Sequence, residues 1–276
     1  MTLESKNIND LVTQRYAQAL PINALSNPII EHLLKHYSVR NYTSQALPEN
    51  ALELIVAAAS AAPTSSNLQV WSVVAVEDAQ RKERLSMLAG NQAHIRDCPI
   101  FLLWIADLAR LEKQGELKNL PHAGLDYFEM FLTASLDATL AAQNAALAAE
   151  SLGLGIVYIG GIRNKPEEVA KELNLPSNSF AVFGMCIGYC DPEVHPEIKP
   201  RLPQSLILHK EQYQLNTSAD IFNEYCQSMS EFNQRQKMSN KVDWVSQCLH
   251  RVRGPESLSG RDHLVEALKN LGFKLK

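Results

Sequence analysis

The sequence predicts an α+β fold in which helices cover a central β-sheet on both sides. Helical patterns dominate the chain and alternate irregularly with about four or five strand patterns. Two of these strands, 99–106 and 180–187, are apolar at nearly every position, which indicates burial on both faces. A sheet that is buried on both faces needs a layer of helices on each side.

The predicted helices follow from apolar residues at helical spacing. Pro48 and Pro166 mark two of the helix starts, because proline suits the first turn of a helix. The expected helices are 6–20, 28–36, 48–61, 78–89, 124–152, 166–173, 218–237 and 259–271. The other expected strands are 70–76 and one that begins at Gly155.

The segment 138–149 is uncharged and rich in alanine. A helix that is apolar all round is buried on all sides, so this segment is either a central core helix or part of a subunit interface. Its 12 residues are too few to span a bilayer, which takes about 20 apolar residues.

Composition indicates an ordinary globular protein, with 276 residues, 46% of them hydrophobic and 20% charged. The net charge of −4 gives no electrostatic footprint for nucleic acid. From Phe232 onwards, however, nine Lys/Arg and four acidic residues give a local charge of +5, which leaves −9 for the rest. This basic tail is either a solvated amphipathic element or an anion-binding one.

The five cysteines (98, 186, 190, 226, 248) match no C-x-x-C pattern, and no N-terminal segment reads as a signal peptide. Reduced thiols in a cytoplasmic protein are the simplest explanation.

The segment 36–40 places an imidazole, a hydroxyl and a guanidinium at alternating positions. In an extended chain His36, Ser38 and Arg40 point to the same side, where three donors suit a phosphate. The alternative is a solvated strand edge or helix exit.

Three further segments carry polar or glycine-rich patterns. The segment 62–71 holds a cluster of hydroxyls and amides, which is either a turn or a polar ligand cradle. Gly160 and Gly161 end a strand, where glycines can bring backbone amides against a ligand. Lys199 and Arg201 are two cations in a proline-stiffened loop.

Other chemistries lack their signatures. The sequence has no G-x-S-x-G, no H-E-x-x-H and no Walker A motif, and its eight histidines lack metal-ligand spacing. Gly153 and Gly155 end a helix and open a strand, whereas a dinucleotide-binding fingerprint needs the reverse order. The remaining inventory suits a phosphorylated, hydrogen-bond-rich cofactor that performs its own chemistry.

Seven segments together resemble the FMN-dependent nitroreductase superfamily, and within it the branch of NADPH-dependent oxygen-insensitive nitroreductases and flavin reductases. They are His36-x-Ser38-x-Arg40, 62–69, Gly90-x-Gln92, 142–144, 149–155, 158–164 and 199–203. The resemblance implies a mainly antiparallel sheet in an intertwined homodimer, with FMN at the subunit interface. It divides the chain into an N-terminal helical extension (1–30) of no assigned purpose, an FMN-binding core (31–216) and a C-terminal helical excursion (217–276).

The resemblance also implies roles for individual residues. His36, Ser38, Arg40, Lys199 and Arg201 would hold the FMN phosphate and ribityl chain. The flavin would be contacted by Thr64, Ser65, Ser66 and Gln69 from the partner subunit, by Gln92 at the ring edge, and by Tyr158, Ile159, Gly160 and Gly161 at its rear face. Weaker candidates for binding NADPH are Arg163, Arg235, Lys241 and Arg261.

The implied reaction is a ping-pong transfer of hydride from NADPH through FMN to a nitroaromatic, a quinone or free flavin. No side chain need act as an acid or a base. The alternative is a flavin-binding or carrier protein without efficient turnover. We expect neither a nucleic acid, a membrane nor a metal ion as a partner.

Overall fold

Two units divide the chain in the computed structural model, which describes residues 8–18, 26–239 and 241–276. One unit combines the chain up to Tyr37 with His195–Ser257, and the other combines Ser38–Val194 with Leu258–Lys276. The ends of the predicted helix 6–20 lie outside the described residues. The division at residues 30 and 216 stays a prediction.

The secondary structure is largely helical. In chain order, the described α-helices are α1 (Ile8–Tyr16), α2 (Pro28–Leu34), α3 (Ala51–Ser60), α4 (Ala79–Leu88), α5 (Ala93–Asp97), α6 (Ala109–Lys118), α7 (Phe128–Ser151), α8 (Pro166–Glu172), α9 (Ala219–Arg235), α10 (Trp244–Arg251) and α11 (Leu264–Asn270). The strands are β1 (Trp71–Val76), β2 (Ile100–Asp107), β3 (Gly155–Ile159) and β4 (Ser179–Gly188).

The four strands form one antiparallel sheet in the order β1-β2-β4-β3. The two central strands, β2 and β4, are the two that the sequence predicts to be buried on both faces. Alternate residues of β2 supply the two faces, because neighbouring side chains of a strand point in opposite directions. Leu102 and Trp104 pack with α3 and α7, whereas Phe101 and Leu103 pack with α4, α5 and α8. The predicted α+β sandwich is therefore confirmed.

Helix α7 lies along the sheet with a stripe of small side chains. Its buried residues toward the sheet include Ala141, Ala142, Ala145 and Ala149, all fully buried. Part of the opposite face is open, since Leu140 keeps 43% of its surface exposed. The sequence predicted that the segment 138–149 is buried on all sides, but within this chain it is buried on one face only.

Local signals account for several boundaries. The side chain of Asn27 accepts a hydrogen bond from the Ile30 N–H at 3.0 Å and so caps α2, whose first residue is Pro28. Gly153, with φ of 79°, follows the end of α7 in the left-handed conformation, as predicted. The predicted helix 259–271 is interrupted: Arg261–His263 is a 3₁₀ turn before α11. Helices α5, α6 and α10 were not predicted.

Candidate functional site

The segment that contains Ser38 and Arg40 runs along β3. Ser38 forms a parallel bridge with Ile156, and the Val39 N–H donates to the Ile156 carbonyl at 2.9 Å. Val39 is 2% exposed whereas Arg40 is exposed, so consecutive side chains point to opposite sides. Gly155 permits this approach, because a Cβ atom there would lie 2.3 Å from Val39 Cγ2. The backbone of Ser38 therefore pairs along the edge of the sheet, in agreement with the strand-edge alternative for the segment 36–40. The Arg40 side chain lies on the outer side of this edge.

In the unit that contains His36, one buried guanidinium joins two of the predicted segments. Arg15 Nη2 donates to the His36 carbonyl at 2.8 Å, and Arg15 Nη1 donates to the Lys199 carbonyl at 3.1 Å. The Arg201 N–H donates to the carbonyl of Arg15 at 2.8 Å. The structure thus brings His36, Lys199 and Arg201 together around a residue of α1.

The cations of this unit differ in their surroundings. The Lys199 ammonium lies 5.5 Å from the centre of the Phe232 ring, whereas the Arg201 side chain is exposed. Arg235 Nε forms an ion pair with Glu197 Oε2 at 2.9 Å. Lys241 is exposed. The carboxylate of Glu197 already offsets the charge of Arg235. Arg235 is therefore a weaker candidate for binding an anion than its exposure suggests.

The polar segment 64–69 has an irregular backbone that a buried carboxylate holds. Ser66 and Gln69 have φ values of 50° and 51°, in the left-handed region. The Ser65 N–H donates to Asp137 Oδ1 of α7 at 3.0 Å, and Asp137 is only 1% exposed. The side chains of Ser65, Ser66 and Gln69 are exposed, while Thr64 is half-buried. The segment therefore has the irregular backbone of the turn that the sequence offered, and the ligand cradle stays a prediction.

Gln92 lies against Gly161 and directly precedes α5. Its Nε2 donates to the Ala89 carbonyl at 2.7 Å, and its Oε1 lies 3.0 Å from Nε2 of His94. A Cβ atom on Gly161 would lie 2.4 Å from the Ala89 carbonyl oxygen and 2.6 Å from Gln92 Nε2. Gly161 is thus required for this close approach.

Two guanidinium groups converge beside Gly160. A Cβ atom at this glycine would lie 3.3 Å from Nη2 of Arg163 and 3.8 Å from Nη1 of Arg261. Arg163 also donates to the Val182 carbonyl. Burial lowers the pKa of Arg163 from its ordinary value. A half-buried glycine surface next to two cations favours a ligand that carries negative charge.

Tyr158 and Ile159 precede these glycines on β3. The Tyr158 hydroxyl donates to Gln143 Oε1 at 3.3 Å, and its ring packs edge-on against Phe183 with 5.3 Å between the ring centres. Burial, with a smaller contribution from the charge of Glu150, raises the pKa of Tyr158 above its ordinary value. Ile159 is 1% exposed, so it offers a ligand its backbone rather than its side chain.

Three residues of these surroundings were not predicted. Arg15 lies with Leu11 and Val12 on the buried face of α1, and an arginine among apolar residues at helical spacing was the available signal. Asp137 similarly interrupts the small-residue face of α7. His94 had no signal beyond its distance of two residues from Gln92. Burial lowers the pKa of His94, and the positive charge of Arg40 lowers it further.

Among the described residues, no cluster of His, Cys, Asp or Glu is arranged to hold a metal ion. Within the same ranges, no helix has the length and hydropathy of a membrane span.

The fold and the site define a class: an α+β protein whose glycine-ended β3 strand meets arginine and amide donors. Sequence models of the nitroreductase family match residues 33–189, and those of the family's C-terminal domain match residues 199–276. The chain belongs to the nitroreductase family.

Known proteins agree with this assignment over most of their length. The chain is 37% identical over 247 residues to an NADPH-flavin oxidoreductase of Vibrio harveyi, covering 90% of this chain and 98% of the relative. It is 36% identical over 252 residues to an FMN reductase (NADPH) of Bacillus subtilis, with 90% and 98% covered. The solved structure of the NADPH:FMN oxidoreductase from Vibrio harveyi complexed with NAD⁺ superimposes with a TM-score of 0.80, at 34% identity, over 91% of this chain and 100% of that one.

Proposed function

We propose that this chain is an NADPH-dependent FMN oxidoreductase that reduces a small acceptor such as a nitroaromatic compound, a quinone or free flavin. Its membership of the nitroreductase family supports this function, as do the activities named for its relatives from Vibrio harveyi and Bacillus subtilis. Donor and acceptor would use one binding face in turn, so the first must leave before the second enters.

The donors around Gly160 are the observation that carries the proposal. Nη atoms of Arg163 and Arg261 lie within 3.3 and 3.8 Å of the position of a Gly160 Cβ atom, and Gln92 lies against the neighbouring Gly161. A flavin ring presents carbonyl oxygens and ring nitrogens along its edge, and it gains negative charge on reduction. Cationic and amide donors beside an open backbone therefore fit this ring.

The imidazole of His36 and the cations Lys199 and Arg201 would hold the FMN phosphate in the unit that contains them. Their backbones share hydrogen bonds with Arg15, which keeps the three residues close. Ser38 and Arg40 belong to the other unit, and for them we keep the FMN-binding role that the family resemblance implies. A guanidinium suits this task because it donates two parallel hydrogen bonds to phosphate oxygens.

FMN, when bound, would supply the redox chemistry by accepting a hydride from NADPH and passing the electrons to the acceptor. The chain's own residues bind and orient. The positive charge of Arg163 would stabilise negative charge on a ring beside Gly160, in a partly buried setting where such interactions are stronger than in water. Arg261 would bind the 2′-phosphate of NADPH. Tyr158 stays neutral because burial raises the pKa of its phenol.

We also propose that two copies of the chain form a homodimer through α7. Phe128, Leu132, Leu136 and Leu140 are four residues apart and are 51%, 42%, 55% and 43% exposed. Residues at this spacing form a continuous apolar stripe on one face of a helix. A stripe of this length is typical of a protein interface rather than of a solvated surface.

A cytoplasmic location fits the proposed use of NADPH. All five cysteines are free thiols, and Cys98 and Cys186 are fully buried. Thiols persist in a reducing compartment.

The proposal is tested by the colour of the purified protein. We expect yellow protein whose visible absorbance is bleached by NADPH without oxygen and restored by menadione, a quinone. Colour without bleaching would indicate a flavin carrier instead. Colourless protein that cannot be reconstituted with FMN would refute both functions.

A further inference from the structure

Helix α1 precedes the region that the family's sequence models match, which begins at residue 33. It is nevertheless anchored, since Leu11, Val12 and Arg15 are 1%, 4% and 8% exposed. A nearly buried arginine on such a helix requires polar partners, because an ionised group without them is costly to bury. The partners of Arg15 indicate what the helix does.

The Arg15 guanidinium spans two segments that are far apart in sequence. Its Nη2 donates to the carbonyls of Leu34 and His36, each at 2.8 Å, at the end of α2. The carbonyls that follow a helix attract cations, because the helix dipole is negative there. Its Nη1 donates to the Lys199 carbonyl at 3.1 Å. One rigid, charged fork thus sets the spacing between His36 and Lys199.

The loop that carries Lys199 and Arg201 is held at three successive backbone groups. Arg15 binds the Lys199 carbonyl through its side chain and the Arg201 N–H through its own carbonyl. Between them, the Pro200 carbonyl accepts a hydrogen bond from the Tyr225 hydroxyl at 3.2 Å. A loop fixed in this way loses little conformational entropy when its side chains bind an anion.

We propose that Arg15 is a positioning residue for the phosphate site, and that α1 is therefore a functional part of the FMN-binding machinery. The inference rests on the proposed function, because it takes His36, Lys199 and Arg201 to be the phosphate ligands. Arg15 acts through the backbones of these residues: it keeps the imidazole and the two cations at the spacing that one phosphate group requires.

The test compares FMN with riboflavin, which carries the same ring and ribityl chain but no phosphate. In Arg15→Met we expect the dissociation constant of FMN to rise by about tenfold or more, because the fork that sets the spacing is lost. The dissociation constant of riboflavin should stay within about twofold of the wild type. Both constants are measured by fluorescence titration of the apoprotein. Arg15→Lys keeps the charge without the fork and should give an intermediate value for FMN.

Gln18 follows α1, and its Nε2 donates a hydrogen bond to the exposed carboxylate of Glu224. Gln18→Met is therefore the matched control. It should leave both constants unchanged. Equal weakening of FMN and riboflavin in Arg15→Met would show a merely structural role, and unchanged binding of both would also overturn the inference. If Arg15→Met does not fold, as judged by its circular dichroism, Arg15→Lys decides by the same comparison. Wild-type protein that binds neither flavin would refute the proposed function itself.

Discussion

The carboxylate of Asp137 accepts a hydrogen bond from the backbone N–H of Ser65 at 3.0 Å, deep beneath an exposed polar segment. The two residues lie 72 positions apart in sequence. Ser66, the next residue, has a left-handed backbone, which is unfavourable for a residue with a side chain. Asp137 therefore helps to hold the segment 64–69 in a conformation that it would not prefer by itself.

Removing this carboxylate should destabilise the protein. For Asp137→Ala we expect a loss of about 1–3 kcal/mol in the free energy of unfolding, because the partly buried hydrogen bond from the Ser65 N–H loses its acceptor. Asp137→Asn keeps an oxygen at the same place and should lose less. Urea denaturation followed by circular dichroism measures both variants. An alanine variant as stable as the wild type would show that the hydrogen bond contributes nothing.

The phosphate site can be tested at the exposed cation of its loop. Arg201→Ala should weaken FMN binding by about 1.5–3 kcal/mol, as for a lost charge-assisted hydrogen bond. Arg84→Ala is the control, since Arg84 is a surface arginine paired with Glu172 and should leave binding unchanged. Unchanged retention of FMN in Arg201→Ala, measured by equilibrium dialysis, would contradict the role of Arg201.

The preference for NADPH should depend more on Arg261 than on Arg235. Arg261→Ala should raise the KM for NADPH more than that for NADH, because only NADPH carries the 2′-phosphate. The effect of Arg235→Ala should be smaller, since Glu197 already pairs with Arg235. Steady-state kinetics with both donors measure the ratio, and an equal change for NADPH and NADH in Arg261→Ala would rule out the phosphate contact.

The stability of the protein should fall in acid partly because of His94. Burial, and then the charge of Arg40, lowers the pKa of His94 in the folded protein below its ordinary value of about 6.5. The unfolded chain therefore takes up a proton first as the pH falls, which favours unfolding. The stability that neutral His94 contributes to the folded protein is present above about pH 6.5. It is lost as the pH falls toward the lower pKa that His94 has in the folded protein.

The test is to melt the protein thermally between pH 8 and pH 5. His94→Gln should lose less Tm over this range than the wild type. Arg40→Met should raise the pKa of His94, as measured by NMR titration of its ring. Identical pH profiles for the wild type and His94→Gln would show that other groups are responsible.

The proposed homodimer predicts a clear effect of charge on α7. Leu136→Glu places a carboxylate in the apolar stripe and should convert dimer to monomer, because a buried charge without a partner is unfavourable. The control is Met87→Glu, which should leave the dimer intact. Met87 is an apolar residue of α4 that is 59% exposed, and α4 packs on the other side of the sheet from α7. Light scattering after size-exclusion chromatography measures the mass. A monomeric wild type would refute the dimer.

Local patterns predicted most of the sheet and its helices. The apolar runs of β2 and β4 predicted strands that are buried on both faces, and such strands need a layer of helices on each side of the sheet. Helices α5, α6 and α10 were missed because they lack a buried apolar face. Helices α6 and α10 bury no residue, and α5 buries only Ile95. A helix without an apolar stripe at helical spacing gives no periodic signal.

The sequence by itself determined the α+β class, because strand and helix periodicity is a local property, and the resemblance of seven local motifs to known proteins indicated the family. Only the tertiary structure decided which polar residues support the candidate site. Arg15 reaches Lys199 across 184 positions, and Asp137 reaches Ser65 across 72. Each residue stands out on the apolar face of its helix, but no local pattern identifies its partner, because the partners are backbone groups that every residue carries.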